Sequence, residues 1–298
     1  MKIVNIEQPS PMDSTICNST DFLIADNDFI EALLYLKSFE RLKFVQSTWA
    51  GVDGLVRKAK EEELCPTLKL ARHHHIKFGQ IMAEYCVASV INMERNMKLL
   101  NQNQAQCLWS KENATGYRSL SELKIGILGM GQMGECIAKI FSDFGCEVVG
   151  LVSTPRTPSG QVSRYFITSD LTDLLASVDY LINVLPATPT TDKILNRDTL
   201  KFCKNVGFVN IGRGNVIEED DIIYALDNNL FSAAVLDVFN VEPLPKSSQL
   251  WTHSNVSITP HVAGVSRAQD VADCFKSNLD KFDNNLDLEC LVDWSKSY

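Results

Sequence analysis

The sequence predicts an α/β fold built on parallel sheets and divided between two domains. Three observations carry this. Apolar, β-prone runs alternate with helical patterns from about residue 100 to 265. The chain has 298 residues, enough for two domains of ordinary size. A long helical pattern over 79–100 separates the alternating series from a thinner N-terminal part. Alternation of this kind implies parallel strands, because the connection between two of them is usually a helix.

In chain order, MKIVNIEQPS (1–10) and TDFLIADNDF (20–29) are strand candidates, with little room for a helix before the next strand, LKFVQST (42–48). GQIMAEYCVASVINMERNMKLL (79–100) repeats apolar residues at helical spacing over several turns. LKIGILG (123–129) reads as a buried strand, followed by an apolar helix through Phe144. EVVGLV (147–152), YLINVLP (180–186), VGFVNIG (206–212), AAVLDVF (233–239) and VSITP (256–260) continue the strand series. The tail SRAQDVADCFKSNLDKFDNNL (266–286) is helical by pattern and is expected to cross back to the first domain.

Composition excludes several functions. Lys and Arg number 28 against 37 Asp and Glu, a formal charge of -9, and no basic tract stands out. That argues against nucleic acid and anionic membrane as partners. No apolar run reaches the roughly 18 residues that would span a bilayer. The N-terminus lacks the apolar stretch of a signal peptide, so a cytoplasmic location is expected. Nine cysteines show no C-x-x-C and read as reduced thiols, mostly core filler. His73, His74 and His75 are consecutive, and consecutive side chains of a regular element do not converge on one ion, so no metal is expected.

The stretch GILGMGQMGECIAKIF (126–141) contains Gly129, Gly131 and Gly134 at G-x-G-x-x-G spacing. Alone the pattern is weak. Here it follows a strand and opens an amphipathic helix, ECIAKIFSDF, as a Rossmann dinucleotide-binding turn requires, and Gln132 and Met133 within the turn are expected to touch the cofactor as well. Gly129 allows the tight turn, Gly131 the approach of a pyrophosphate, and Gly134 the packing of helix on strand. The next strand ends at VVGLVSTPRTP (148–158), where an acidic residue would normally receive the adenosine ribose. Ser153, Thr154 and Arg156 stand there instead. A guanidinium pairs bidentately with phosphate, so NADP(H) is expected over NAD(H). A solvated surface arginine is the plainer alternative.

Three further residues follow strands: Arg213 in VNIGRGNVI (209–217), Glu242 in LDVFNVEPLP (236–245) and His261 in ITPHVAG (258–264). Singly, each has an ordinary explanation as a surface cation, a turn residue or a core histidine. Together they supply what carbonyl reduction needs: a cation for an α-keto acid, an imidazolium to give up a proton, and a carboxylate to keep that imidazole charged and oriented.

These motifs, with NVLPATPTT (183–191) and NIGRGNVIEEDDIIYALD (210–227), resemble the D-isomer-specific 2-hydroxyacid dehydrogenase family, most closely its glyoxylate/hydroxypyruvate reductase branch. The resemblance runs from about LKFVQSTWAGVDGL to the C-terminus. It implies two Rossmann-like or flavodoxin-like domains, the cofactor domain inserted into a smaller substrate domain. Residues 1–95 plus 267–298 would form the substrate domain and 96–266 the NADP-binding domain. It further implies that Arg213 binds the substrate carboxylate and carbonyl oxygen and that Glu242 and His261 are the acid/base pair. Asp237 would contact the nicotinamide carboxamide, and Ile211 to Arg213 would line the ring. Leu185, Pro186 and Thr191 would pack on the cofactor, and Ala50 and Gly51 would bind the carboxylate through backbone amides. Trp49 stands where many relatives have a small residue, which would alter the pocket wall. A homodimer is also implied, with the 79–100 helix and its flanks as surface.

The expected reaction is NADPH-dependent reduction of glyoxylate or hydroxypyruvate to the D-2-hydroxy acid, with His261 as general acid. An NAD-dependent dehydrogenase of another hydroxy acid and a non-catalytic dinucleotide-sensing regulator are the alternatives.

Overall fold

The computed structural model describes residues 20–36, 41–64, 67–158 and 160–295. Backbone contacts divide it into one unit formed by the residues up to Phe78 together with those from Ser266, and a second formed by Gly79–Val265. The strand expected over 1–10 lies outside the described residues.

The first unit holds a three-stranded parallel sheet in the order β1 (Phe22–Ala25), β2 (Phe44–Ser47), β3 (Leu70–Ala71). Between β1 and β2 runs a helix, α1 (Asn27–Leu36), where the sequence suggested no room for one. Asp26 explains its start: its carboxylate accepts from the Phe29 N–H at 3.0 Å, satisfying a donor that the first turn leaves unpaired. Ile30, Leu33 and Leu34 then fall on one face and bury against Val45, Leu55 and Leu70. Helix α2 (Asp53–Glu61) buries Leu55, Val56 and Ala59 by the same periodicity. The C-terminal helix packs into this unit too. Phe275 lies 5.5 Å from Phe44 and Phe282 lies 5.3 Å from Phe22, ring centre to ring centre. Past that helix, Val292 N–H donates to Leu70 O and Trp294 Nε1 to Leu68 O.

Helix α3 (Ile76–Glu94) contains the division between the units and is followed by α4 (Met97–Ala105). A continuous helix over 79–100 was expected. Instead it starts at Ile76 and breaks at Arg95 and Asn96, because Asn96 takes the left-handed conformation (φ 48°) that asparagine tolerates and that ends helices.

The second unit is a seven-stranded, all-parallel sheet in the order β10-β9-β8-β7-β4-β5-β6. Its strands are β4 (Lys124–Leu128), β5 (Glu147–Val152), β6 (Arg164–Ile167), β7 (Tyr180–Asn183), β8 (Val206–Asn210), β9 (Phe231–Leu236) and β10 (Val256–Ile258). The chain moves outward from β4 through β5 to β6, then returns to the other side of β4 and continues from β7 to β10. That reversal beside β4 is the switch point where open α/β sheets bind ligands. Both faces are covered, so the strands are continuously apolar rather than alternating. Phe208 and Phe231 stack at 4.9 Å in the core with Leu128, Leu174 and Leu181. Each such ring contributes about 1.5–3 kcal/mol by burial. Helix α5 (Gln132–Asp143) buries Gly134, Ile137, Ala138 and Phe141. Among the described residues, no helix is long and apolar enough to cross a membrane.

Arg118 ties this unit together on one flank. Its Nε and Nη2 donate to Glu94 Oε1 at 3.2 and 2.6 Å, its backbone N–H donates to Glu94 Oε2, and its Nη1 pairs with Asp179. Tyr180 adds a hydroxyl donor to Glu94 at 2.9 Å. Burial pushes the Glu94 carboxyl up, but the Arg118 and Tyr180 contacts outweigh it and hold the group below its ordinary value. A carboxyl so depressed stabilises the fold above the ordinary carboxylate range and loses that contribution as pH falls through its folded value. Because Arg118 is partly exposed, replacing it with Ala should cost only about 1–2 kcal/mol at neutral pH. The difference between the two melting curves should shrink in acid, which thermal unfolding at pH 7 and pH 4 would check.

Candidate active site at the carboxyl edge of the seven-stranded sheet

The phosphate loop connects β4 to α5. Gly129 has φ +100°, a conformation closed to most side chains. A Cβ on Gly134 would sit 2.1 Å from Gly129 O, so only glycine allows the helix to come this close to the loop. Around Gly131, by contrast, a Cβ would meet nothing within 4 Å. Gly131 and Gln132 are exposed and Met133 is half-buried. The N-terminus of α5 thus opens at an exposed turn, the setting in which a helix end receives a pyrophosphate.

At the end of β5, Ser153 and Thr154 are exposed. Arg156 is not simply solvated. Its Nη1 donates to Met130 O at 2.8 Å and lies 3.4 Å from Glu135 Oε1, in the first turn of α5. Tyr165 donates to the same carboxylate oxygen at 3.2 Å. The guanidinium thus lies against the phosphate loop. Glu135 could not be assigned a part from the sequence, because only the fold brings the first turn of α5 to the end of β5.

The ends of β7 and β8 are pinned by two buried asparagines. Asn183 Nδ2 donates to Asn210 Oδ1 at 2.8 Å, Asn183 Oδ1 accepts from Leu185 N–H, and Asn210 Oδ1 from Gly212 N–H. These fix the segments that carry Leu185, Pro186 and Arg213. Thr191 Oγ1 donates to Pro186 O at 2.6 Å and closes the loop between them. Sequence reasoning overlooked both asparagines, although each ends an otherwise apolar strand, where a lone amide side chain is a signal. Ile211 is buried; Arg213 is half-buried, with Nη1 donating to Gly212 O at 2.7 Å.

Beyond β9 and β10 the expected acid/base pair is in contact: His261 Nδ1 lies 2.7 Å from Glu242 Oε2. The other carboxylate oxygen of Glu242 accepts from Phe239 N–H at 2.9 Å, so the group is held from both sides. The two side chains remain partly open to solvent, at 48% and 35% exposure. With Nδ1 committed to the carboxylate, Nε2 is the nitrogen left to face a reactant. Arg213, Glu242 and His261 follow β8, β9 and β10, three neighbouring parallel strands, and so stand at one edge of the sheet. Asp237 is buried to 1% exposure, with its carboxylate turned to the His261 loop: it accepts from Val262 N–H, Ala263 N–H and the Thr259 hydroxyl.

In the first unit, Trp49, Ala50 and Gly51 form the loop after β2. Ser47 and Asn27 brace it, with Trp49 N–H donating to Ser47 Oγ and Asn27 Nδ2 to Gly51 O. Trp49 is exposed. The three consecutive histidines diverge: His73 meets Cys274 at 3.7 Å, His74 meets Glu289 at 2.8 Å, and His75 lies 3.7 Å from Asp270 and 3.9 Å from Asp273. Asp270 is already paired with Arg267 at 2.7 Å.

A dinucleotide cradle beside a carboxylate–imidazole pair, both at the carboxyl edge of a parallel sheet, defines a nicotinamide-dependent oxidoreductase. The NAD-binding domain model of the D-isomer specific 2-hydroxyacid dehydrogenases matches residues 87–263. A glyoxylate/hydroxypyruvate reductase A of Escherichia fergusonii is 32% identical over 260 residues, covering 86% of this chain and 82% of its own. A D-isomer specific 2-hydroxyacid dehydrogenase family protein of Aeromonas salmonicida superposes with TM-score 0.84 at 31% identity, over 94% of this chain and 87% of that one. An NADPH-dependent glyoxylate/hydroxypyruvate reductase of Sinorhizobium meliloti, solved with NADP and sulfate, superposes with TM-score 0.79 at 25% identity, over 94% and 100%. The chain belongs to the D-isomer-specific 2-hydroxyacid dehydrogenase family.

The Gly134 contact gives a direct test of the cradle. Gly134→Ala should push the loop out of place and weaken dinucleotide binding at least about tenfold, or ~1.4 kcal/mol. Fluorescence titration with NADPH would measure it.

Proposed function

We propose that the protein reduces a small 2-keto acid, glyoxylate or hydroxypyruvate, to the D-2-hydroxy acid with NADPH. The observation that carries this reading is the 2.7 Å contact of His261 with Glu242 at the sheet edge that also bears Arg213. The names of the relatives, two of them glyoxylate/hydroxypyruvate reductases, supply the substrate class.

When bound, the cofactor supplies the hydride. The remaining steps belong to this chain. The Gly129–Gly134 loop and the first turn of α5 hold the pyrophosphate, and Leu185, Pro186, Thr191 and Ile211 line the path to the ring. Arg156, with Ser153 and Thr154, receives the 2′-phosphate, which would take the place of the Glu135 carboxylate beside the guanidinium. In this reading Asp237 is the residue that contacts the nicotinamide carboxamide. Arg213 holds the keto acid, and the backbone amides of Ala50 and Gly51 bind its carboxylate. Neither of those two N–H groups donates to another group among the described residues, which leaves both for an anion. His261 Nε2 gives its proton to the carbonyl oxygen while Glu242 fixes the ring at Nδ1. The guanidinium of Arg213 offsets the negative charge that develops on that oxygen. Trp49 forms one wall and limits substrate size.

In this reading the unit around the three-stranded sheet is the substrate domain, and the unit around the seven-stranded sheet is the NADP-binding domain. A homodimer follows as the working state. The flank of the 79–100 region offers apolar surface for it: Trp109 is 94% exposed and Leu108 is exposed beside it. A cytoplasmic location fits the seven described cysteines, all of which are free.

The test is spectrophotometric. Purified protein should oxidise NADPH in the presence of glyoxylate or hydroxypyruvate, and His261→Ala should lower kcat by about two to four orders of magnitude. A variant that kept near wild-type turnover would remove His261 from the chemistry. Absence of turnover by the wild-type protein would favour a dinucleotide sensor. Arg156→Ala should raise KM for NADPH roughly tenfold, the loss of one charge-assisted contact, and leave KM for NADH little changed. Equal changes for both cofactors would show that Arg156 does not read the phosphate.

A further inference from the structure

His261 has φ 55°, a left-handed backbone that is uncommon for a non-glycine residue and that its surroundings hold in place. The constraint can be traced atom by atom. His261 N–H donates to Asp237 O at 2.9 Å and to Thr259 O at 3.1 Å. The next two N–H groups, of Val262 and Ala263, donate to the two carboxylate oxygens of Asp237 at 2.8 and 2.9 Å. Thr259 Oγ1 lies 2.5 Å from Asp237 Oδ1 and 2.6 Å from the hydroxyl of Tyr85.

The direction of this chain is settled by its end. Thr259 Oγ1 donates its one hydrogen to Asp237 Oδ1. Its oxygen must then accept from Tyr85, and the phenol is the donor that starts the relay. Burial pushes the Tyr85 phenol up, which keeps it protonated and a donor throughout the working range. Donors in series polarise one another, so the bond from Tyr85 strengthens the grip of Thr259 on Asp237. Tyr85 stands on α3, the helix that contains the division between the two units, about two turns past that division.

We propose that Tyr85 is a positioning residue for the reduction: through Thr259 and Asp237 it fixes the loop that carries His261 to helix α3. The inference rests on the reductase reading for its kinetic consequence and on geometry alone for its structural one. Tyr85 touches no reacting atom. Its hydroxyl sets how sharply the imidazole is aimed, so its loss moves turnover and leaves cofactor binding alone.

The experiment compares Tyr85→Phe, Thr259→Val and the double variant with wild-type. Tyr85→Phe keeps the ring and its packing. We expect kcat to fall about 10- to 100-fold while KM for NADPH stays within about twofold, since aim rather than binding is lost. The double variant should be no worse than Thr259→Val, because both changes cut one relay. A second readout needs no turnover: the ring signals of His261 in a ¹H–¹³C spectrum, assigned with His261→Gln among the five histidines. They should be single in wild-type and doubled or broadened in Tyr85→Phe. Wild-type kcat together with one sharp ring signal in Tyr85→Phe would overturn the proposal. So would additive losses in the double variant. If wild-type protein turned over no keto acid, the reductase reading would fail, and the ring signals alone would still decide whether Tyr85 holds the loop.

Discussion

The carboxyl edge of the larger sheet is organised around one buried carboxyl group. A carboxylate removed from water costs several kcal/mol unless its oxygens are met by donors. Asp237 sits at the end of β9 with 1% exposure, and the donors that meet it come from a single short loop, 259–263. Satisfying Asp237 therefore dictates the path of that loop. The path turns His261 into the left-handed region and presents its ring to Glu242, which the turn after β9 holds by the Phe239 N–H. Removing the carboxylate would unmake the loop, and with it the only contact that orients the imidazole among the described residues.

The same edge reconciles an acidic protein with anionic ligands. The chain carries a formal charge of -9, which would repel a keto acid or a phosphate at long range. Screening confines that repulsion to roughly 8–10 Å at physiological ionic strength. Within that distance the groups that the proposed reading gives to anions are local: the N-terminus of α5, the guanidinium of Arg156 against the phosphate loop, and that of Arg213 after β8. In the first unit the loop after β2 is braced by Ser47 and Asn27, and its amides at 50 and 51 meet no acceptor among the described residues.

How much of this the sequence disclosed follows from which interactions are local. Strands β4, β5 and β7 to β10 were legible because a sheet covered on both faces demands unbroken apolar runs. The glycine loop was legible because its spacing encodes close approach, and Gly134 indeed lies against Gly129. The pairing of His261 with Glu242 was legible from their places after neighbouring strands, and a resemblance that brought the separated motifs together sharpened it. What stayed hidden depends on pairs distant in the chain. Helix α1 escaped because its buried face is supplied by β2, β3 and α2. The break at Asn96 escaped because a single left-handed asparagine leaves the apolar periodicity intact. The contact of Arg156 with Glu135, 21 residues away, and the relay from Tyr85 to Thr259, 174 residues away, exist only once the sheet is assembled.

The His261–Glu242 contact itself argues for chemistry over architecture. Both side chains are substantially open to solvent, and an exposed ion pair contributes only about 0–1 kcal/mol to stability. A non-glycine residue in the left-handed region costs of order 1–3 kcal/mol, so the pair cannot offset the strain of the loop that creates it. Folding alone would be served as well or better by a glycine at 261 and a solvated residue at 242. The strain is instead borne by Asp237, whose buried hydrogen bonds are strong enough to impose it. A protein that only sensed a dinucleotide would need the glycine loop and the anion contacts, and would gain nothing from a strained imidazole aimed by a carboxylate. Proton transfer to a bound carbonyl, the step proposed for His261, is a task that would use both.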